Sequence, residues 1–391
     1  AMIKDRTSKD SNVDLEEYEC RIKSRREINL SPDDPRIREM LDNWGILKKA
    51  YRLIRRWTFK GNGMRIDMSI VRSSPKDNRG EFRWSRAFQE FNIFRQAPIY
   101  EVEVELLHED ATNTPESATK CLIRGIGEIL RAIQKNTLLI RKSIKEKVFA
   151  GYAALNGSDR FRGVAPITIE RANMIATIDP KIPNIRTGYN VTDKADGLRC
   201  LGYCDSKGEL FLIDMGMNIY RTGLRNNTCA DSLLDGEWVT KNKDGKAINH
   251  FLLFDIYRAA GKNDVSQFPF TGDDGETRWE HLRTWIGAWT AEGKTEVIAK
   301  GVTDAVKLQV AMKTFLIAKG DEPKTIFTAC NRILDTLHIY NTDGLILSPN
   351  AMPLPAQSGA TFYEQFKWKP ALDNTIDFLV NFEKDAEIPT L

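Results

Sequence analysis

A lysine two residues ahead of an Asp-Gly pair, a glutamate directly after a second, an aspartate inside a third and two lysines one residue apart could together transfer a phosphoryl group. They are Lys194 (Lys194-Ala195-Asp196-Gly197-Leu198-Arg199), Glu237 (Leu234-Asp235-Gly236-Glu237), Asp343 (Thr342-Asp343-Gly344-Leu345-Ile346-Leu347), and Lys367 and Lys369 (Phe366-Lys367-Trp368-Lys369-Pro370). A neutral lysine amine is a nucleophile, and nearby cations favour that form by opposing a further positive charge. Arg199, Lys367, Lys369 and a metal ion are sources of such charge, and they would also stabilise phosphoryl oxygens in the transition state. Mg²⁺ takes one or two carboxylates together with phosphate oxygens, a role suited to Glu237 and Asp343. Asp-Gly is also an ordinary hairpin turn, and the chain has five such pairs, so no single pair is informative. Asp274-Gly275-Glu276 repeats the string in a polar stretch and reads as a loop.

Order and spacing carry the signal. With the strand Phe251-Leu252-Leu253-Phe254-Asp255 between the second and third segments, the series resembles the signature of the covalent nucleotidyltransferase superfamily. That superfamily comprises mRNA capping guanylyltransferases and ATP-dependent DNA and RNA ligases. The resemblance implies that Lys194 attacks the α-phosphate of a nucleoside triphosphate, expels pyrophosphate and becomes a lysyl-N–nucleotide. It implies that Arg199 and Glu237 meet the ribose or metal, and that Asp343 holds the metal or its water. Lys367 and Lys369 would grip the α-phosphate. Phe254 would stack on the base; a core aromatic on a buried strand is the other reading of that position. Trp368 reads as core.

Asp343-Gly344, where ligases carry Glu-Gly, points to the capping branch, as does the continuation Pro370-Ala371-Leu372-Asp373-Asn374-Thr375-Ile376-Asp377-Phe378. Gly188-Tyr189-Asn190-Val191-Thr192-Asp193 is similar to the capping enzymes of large DNA viruses. Two departures stand out. Met215 occupies a position that is often arginine in capping enzymes, with Arg221 as the candidate substitute. The C-terminal OB domain of the family is expected to be absent from this chain, which ends at Leu391.

In the first half, Glu101, Glu103 and Glu105 share one face of a strand, because side chains alternate, and Val102, Val104 and Leu106 take the other. An acidic outer face on a half-exposed strand is the ordinary explanation. Yet Arg52, Arg56 and Lys60 alternate on one neighbouring run, and Arg65 and Asp67 on another. This resembles the triphosphate-tunnel RNA triphosphatases that precede the guanylyltransferase in large-virus capping enzymes. The resemblance implies an antiparallel β-barrel, with the three glutamates holding Mg²⁺ or Mn²⁺ and the other five residues lining the tunnel. Glu17-Tyr18-Glu19 is the candidate for the family's N-terminal acidic pair. Cys20-Arg21-Ile22-Lys23 reads as a basic strand, which would place the true first strand upstream.

The elements that must position these residues follow from periodicity. Tyr51–Lys60, Met64–Arg72 and Tyr100–Leu107 alternate with period two. Helical character is expected over 33–49 and 116–155, with Ile123, Ile126, Ile129, Leu130 and Ile133 on one stripe. Further helices are expected over 276–292 and 321–337, and a strand over 375–382. Asn156-Gly157-Ser158-Asp159, then Gly163 and Pro166, place a boundary near residue 160. The fold class is thus α+β: a tunnel-type domain over 1–160 and a nucleotidyltransferase domain of antiparallel sheets with flanking helices over 161–391.

With 391 residues, 41% hydrophobic and 28% charged, the composition is globular. Fifty-seven basic against fifty-four acidic residues leave +3, so nucleic-acid contact is expected from a local patch. The N-terminus lacks the apolar region of a secretory signal; Ala1-Met2 reads as a cloning scar on a piece of a longer protein. The six cysteines form no CxxC pair, and the four histidines form no HExxH cluster. Both observations disfavour zinc chemistry. The resemblance implies GTP and the 5′ end of nascent mRNA as partners, a methyltransferase and a viral RNA polymerase alongside, no membrane, and a viral factory or virion as the location. An ATP-dependent polynucleotide ligase and a catalytically quiet RNA 5′-end binding module are the rival readings.

Overall fold

The structure, a computed structural model, describes residues 2–6, 12–107, 114–176, 179–273, 275–317, 324–371 and 378–379. The strand expected over 375–382 and the continuation 372–377 fall almost wholly outside them, as does Asp274. Two compact units divide the chain, 1–143 and 144–391.

In the first unit β1 (Met2–Arg6) pairs with β4 (Arg25–Asn29), and β2 (Asn12–Leu15) with β3 (Cys20–Lys23). Helix α1 (Pro35–Asp42) begins where the Asp34 carboxylate accepts from the Arg36 N–H, with proline in its first turn. The alternating runs form a three-stranded antiparallel sheet of β5 (Arg52–Gly61), β6 (Met64–Ser73) and β7 (Ile99–Leu106). Its register sets Arg56 opposite Ser69 and Ser69 opposite Glu101, so Arg52, Arg56, Lys60, Arg65, Asp67 and the three glutamates share one face. Helix α2 (Pro115–Gln134) packs on the other face, with Gly125 close against Met64 and Val104.

Three expectations are corrected in this unit. The described strands form one three-stranded sheet and two two-stranded ladders, not a closed barrel. Glu17 lies in a 3₁₀ turn (Glu16–Tyr18), and Glu19 adopts a left-handed φ of 53°, so the Glu-Tyr-Glu string is not a strand. The Glu17 carboxylate instead accepts from the Ser143 hydroxyl at 2.8 Å. On α2 the buried positions are Cys121, Gly125 and Gly127, whereas Ile123 and Ile133 are exposed; Gly125 allows close approach to Met64 and Val104, so the helix turns that side to the sheet.

The second unit has two sheets. The smaller is ordered β18 (Leu316–Ile317), β9 (Tyr189–Ala195), β19 (Thr342–Pro349), β20 (Thr361–Trp368) and β8 (Ala165–Thr168). The larger runs β15 (Asn263–Asp264), β14 (Ala247–Ala259), β13 (Ser232–Lys241), β10 (Leu198–Cys204), β11 (Glu209–Asp214), β12 (Ile219–Arg225) and β16 (Glu296–Val297), with β17 (Gln309–Met312) parallel to β14. Most pairings are antiparallel, as expected, in a mixed helix and sheet architecture.

Helix α4 (Arg278–Thr290) covers the larger sheet with Leu282, Trp285 and Trp289, and α5 (Lys324–Leu334) covers the smaller with Ile326, Ala329 and Ile333. Helix α3 (Lys142–Asn156) lies almost entirely in this unit. Its Tyr152 ring meets Tyr203 edge-on and its Asn156 amide bonds Ser358, contacts that put the division ahead of α3 rather than near residue 160. Among the described residues no helix is long and apolar enough to cross a membrane.

Candidate active site

The chain leaves the smaller sheet at the end of β9 and enters the larger at β10, and the turn between them is Asp196-Gly197. A Cβ on Gly197 would lie 2.7 Å from the Trp238 carbonyl oxygen and 2.9 Å from Glu237 Cγ. Glycine there lets the turn press onto β13 beside Glu237. The buried residues Ala195, Val239, Leu252 and Tyr340 pack together at this junction.

Asp343-Gly344 and Asp235-Gly236 are not turns but lie inside strands. In the β9–β19 pairing Ala195 faces Thr342 and Asp193 faces Leu345, so Asp343 and Gly344 together oppose Lys194 alone. Such a bulge bends the strand and re-aims its side chains. Lys194 Nζ donates to Asp343 Oδ1 at 2.6 Å, and Lys369 Nζ lies 2.7 Å from Asp343 Oδ2. Burial alone would raise the Asp343 pKa, but its hydrogen bonds to the two lysines outweigh burial and hold the carboxyl below its ordinary range. Lys367 stands two residues before Lys369, on the same side of the strand, and has no ion-pair partner among the described residues. Trp368, pointing the other way, packs with the core around Phe366 and Leu345, as expected.

A second bulge sets Phe254. Asp255 faces Asp235 and Leu253 faces Gly236, which leaves Phe254 with no opposite residue. Its ring is half-buried. It lies 5.4 Å from the Arg199 guanidinium and 5.9 Å from Lys313 Nζ.

Glu237 faces Arg199 across β10 and β13. No hydrogen bond or ion pair satisfies its carboxylate among the described residues. Burial pushes its pKa up to about 7, against the pull of Lys313, Arg199 and Lys194. Arg199 is not open to ligand on all sides: Asp235 takes its Nε at 3.1 Å and one terminal nitrogen at 2.7 Å, and the Val164 carbonyl takes the other at 2.6 Å. Burial works against that charge, but the Asp235 carboxylate more than offsets it and holds Arg199 above the usual arginine range.

Sequence reasoning missed Lys313. It is 5% exposed and donates to the Asp193 carbonyl at 2.5 Å, with Asp193 Oδ2 at 3.3 Å. Burial draws its pKa down, opposed by Asp193 and Glu237. The local pattern carries no signal for it, since alternation places Lys313 on the face of the exposed Ala311, away from Val310 and Met312. Arg221, the candidate substitute at the Met215 position, is paired with Glu209 at 2.7 Å, and Met215 is exposed.

Among the described residues no three His, Cys, Asp or Glu side chains gather as a metal cluster. Mg²⁺ needs no such cage when phosphate and water complete its shell. The donor set of Asp343 and the unpartnered Glu237 fits that mode. The glutamates of β7 do not converge on one point. Glu101 pairs with Arg52 at 2.8 Å, Glu103 with Arg56 at 3.2 Å, and Glu105 with Arg65. Arg56 also meets Asp67 at 3.0 Å, and Asp67 lies 3.3 Å from Arg65. Lys60 sits opposite Arg65 at the end of the row.

Asp343 thus joins Lys194 and Lys369, while the neighbouring sheet carries Glu237, unpaired among the described residues, and the ring of Phe254. Residues 128–371 match the family described as mRNA capping enzyme, catalytic domain, and the chain belongs to that family. It is 24% identical to a "Probable mRNA-capping enzyme" of Acanthamoeba polyphaga mimivirus, over 96% of this chain and 33% of the relative. It is 29% identical to an mRNA-capping enzyme of African swine fever virus (strain Badajoz 1971 Vero-adapted), over 72% of this chain and 29% of the relative. An mRNA-capping enzyme subunit alpha of Schizosaccharomyces pombe is 25% identical, over 58% of this chain and 54% of the relative. The chain thus spans about a third of the length of the viral relatives.

Proposed function

We propose that this chain transfers GMP from GTP to the 5′ end of nascent mRNA through a covalent bond to Lys194. Lys194 Nζ gives up its ammonium proton to water, its lone pair then forms a bond to the α-phosphorus, and the bond to the bridging oxygen breaks as pyrophosphate leaves. A diphosphate-ended RNA then displaces the lysine and takes the GMP. The observation that carries this reading is the row Lys194–Asp343–Lys369, whose two contacts are 2.6 and 2.7 Å. Triphosphate oxygens entering there would compete for both ammonium groups and release the nucleophile. Lys367 would add charge on the same side.

Arg199 and Glu237 would take the ribose hydroxyls. Glu237 and Asp343 would hold Mg²⁺ or Mn²⁺, whose chemistry is to neutralise phosphate charge. Phe254 would stack on the base. Lys313, beside that ring, favours guanine, which offers a carbonyl oxygen where adenine offers an amino group. This favours capping over the ATP-dependent ligase reading. A binding module would not need a nucleophile so placed.

The charged face of β5–β7 would act earlier, binding the RNA 5′-triphosphate through Arg52, Arg56, Lys60 and Arg65 for removal of its γ-phosphate. Asp67 and Glu101, Glu103 and Glu105 would orient those cations, and because the glutamates do not converge no step is routed through a metal there. A neighbouring methyltransferase, a viral polymerase and a site of action in infected cytoplasm belong to the same proposal.

Incubation with GTP labelled at the α-phosphate and Mg²⁺, read on a denaturing gel, tests the central step. Labelling with GTP that Lys194→Ala abolishes is expected. Labelling by ATP alone would move the assignment to a ligase, and undiminished labelling of Lys194→Ala would remove the nucleophile.

A further inference from the structure

Asp235 is 0% exposed and lies in the strand that carries Glu237. Its carboxylate receives Arg199 through two hydrogen bonds and the Tyr257 hydroxyl through a third at 2.7 Å. We propose that Asp235 is a positioning residue of the nucleotide site: it fixes the plane of Arg199 so that the remaining N–H groups meet a ribose hydroxyl while the guanidinium stays over Phe254. This deepens, and rests on, the reading of Lys194 as the nucleotide acceptor.

Several observations converge on it. A two-pronged arginine–carboxylate contact sets orientation as well as energy. The Val164 carbonyl holds the third nitrogen, so rotation about the side chain is blocked at both ends. Two rings approach the same guanidinium, Phe161 at 5.9 Å and Phe254 at 5.4 Å. Beneath Asp235 the support continues, since the Arg162 guanidinium sits 4.7 Å over the Tyr257 ring. A buried ion pair adds little stability relative to well-packed apolar residues, so four elements converging on one pair are better explained by the orientation they impose. The other N–H groups of Arg199 have no acceptor among the described residues, and a hydroxyl oxygen supplies one.

The test is the kinetics of covalent guanylate formation with GTP and with its 2′- or 3′-deoxy analogue, whichever the wild type rejects more. Asp235→Asn is expected to raise KM for GTP about tenfold, with kcat within about threefold, as loss of a charged hydrogen-bond partner implies. It should also shrink the preference for GTP over the deoxy analogue. Tyr257→Phe keeps the packing and removes one support, so it should shrink that preference less, and it serves if Asp235→Asn does not fold. A folded variant that keeps the full preference overturns the proposal, as does a wild type with no ribose preference. If the wild type forms no covalent guanylate with GTP, the Lys194 reading fails instead, so the two failures are distinguishable.

Discussion

Glu237 is held at a cost to the fold. Its carboxyl titrates near 7 rather than at 4.5 because burial opposes its charge. Between those values the unfolded chain gives up a proton that the folded chain keeps, so stability falls as pH rises from about 4.5 to 7. Above that the penalty is fully present, and the shift corresponds to ~3 kcal/mol. Glu237→Gln is therefore expected to raise Tm at pH 8 and leave it nearly unchanged at pH 4.5, while weakening GTP binding; a variant with no gain at pH 8 would contradict the assignment. Residue types were legible from sequence here, because Lys, Asp-Gly, Glu and Lys-x-Lys carry their chemistry in their names. Lys313 was not, because a lone lysine gains meaning only when Asp193, Glu237 and Phe254 surround it.

At the scale of elements, two β-bulges aim the site. One opposes Asp343-Gly344 to Lys194, and the other leaves Phe254 unpaired. Gly344 has a φ of 131°, and a Cβ there would collide with the Trp368 carbonyl oxygen. Its absence lets β20 close on β19 and brings Lys369 to Asp343. Gly344→Ala should cost about 2–3 kcal/mol from strain and forced separation, lower Tm, and abolish labelling by GTP although every charged residue remains. Retention of full labelling would show that the close approach is dispensable. The strands β5, β6 and β7 match their expected spans to within a residue or so, since period-two alternation is local. Bulges break that period by one residue, so their positions cannot be read from it.

On the scale of the whole molecule, the two charged surfaces belong to separate compact units. Arg56, which touches Asp67, Ser69 and Glu103, is the hub of the first. Arg56→Ala is expected to lower γ-phosphate release from triphosphate-ended RNA at least tenfold, while covalent labelling by GTP stays within twofold of the wild type, as removal of a phosphate-binding charge implies. Lys194→Ala should do the reverse. Loss of both activities in either variant would argue against separate sites. The Arg56–Glu103 pair is half-exposed and adds little stability, but Arg56 also pairs with the buried Asp67, so Arg56→Ala should lower Tm as well as turnover.

The sequence by itself determined which groups are available: Lys194, the carboxylates Glu237 and Asp343, the Lys367 and Lys369 pair, the acidic and basic strand faces, and the family. These are properties of residue type, order and period, and they survive without coordinates. Only the tertiary structure decided which partners those groups take. Arg199 is claimed by Asp235, the glutamates of β7 by arginines, and Glu237 by no described residue. Pairing depends on which buried positions leave a charge without water, and burial is set by residues far apart in the chain: Lys194 and Asp343, 149 residues apart, meet only because β9 pairs with β19 in one sheet.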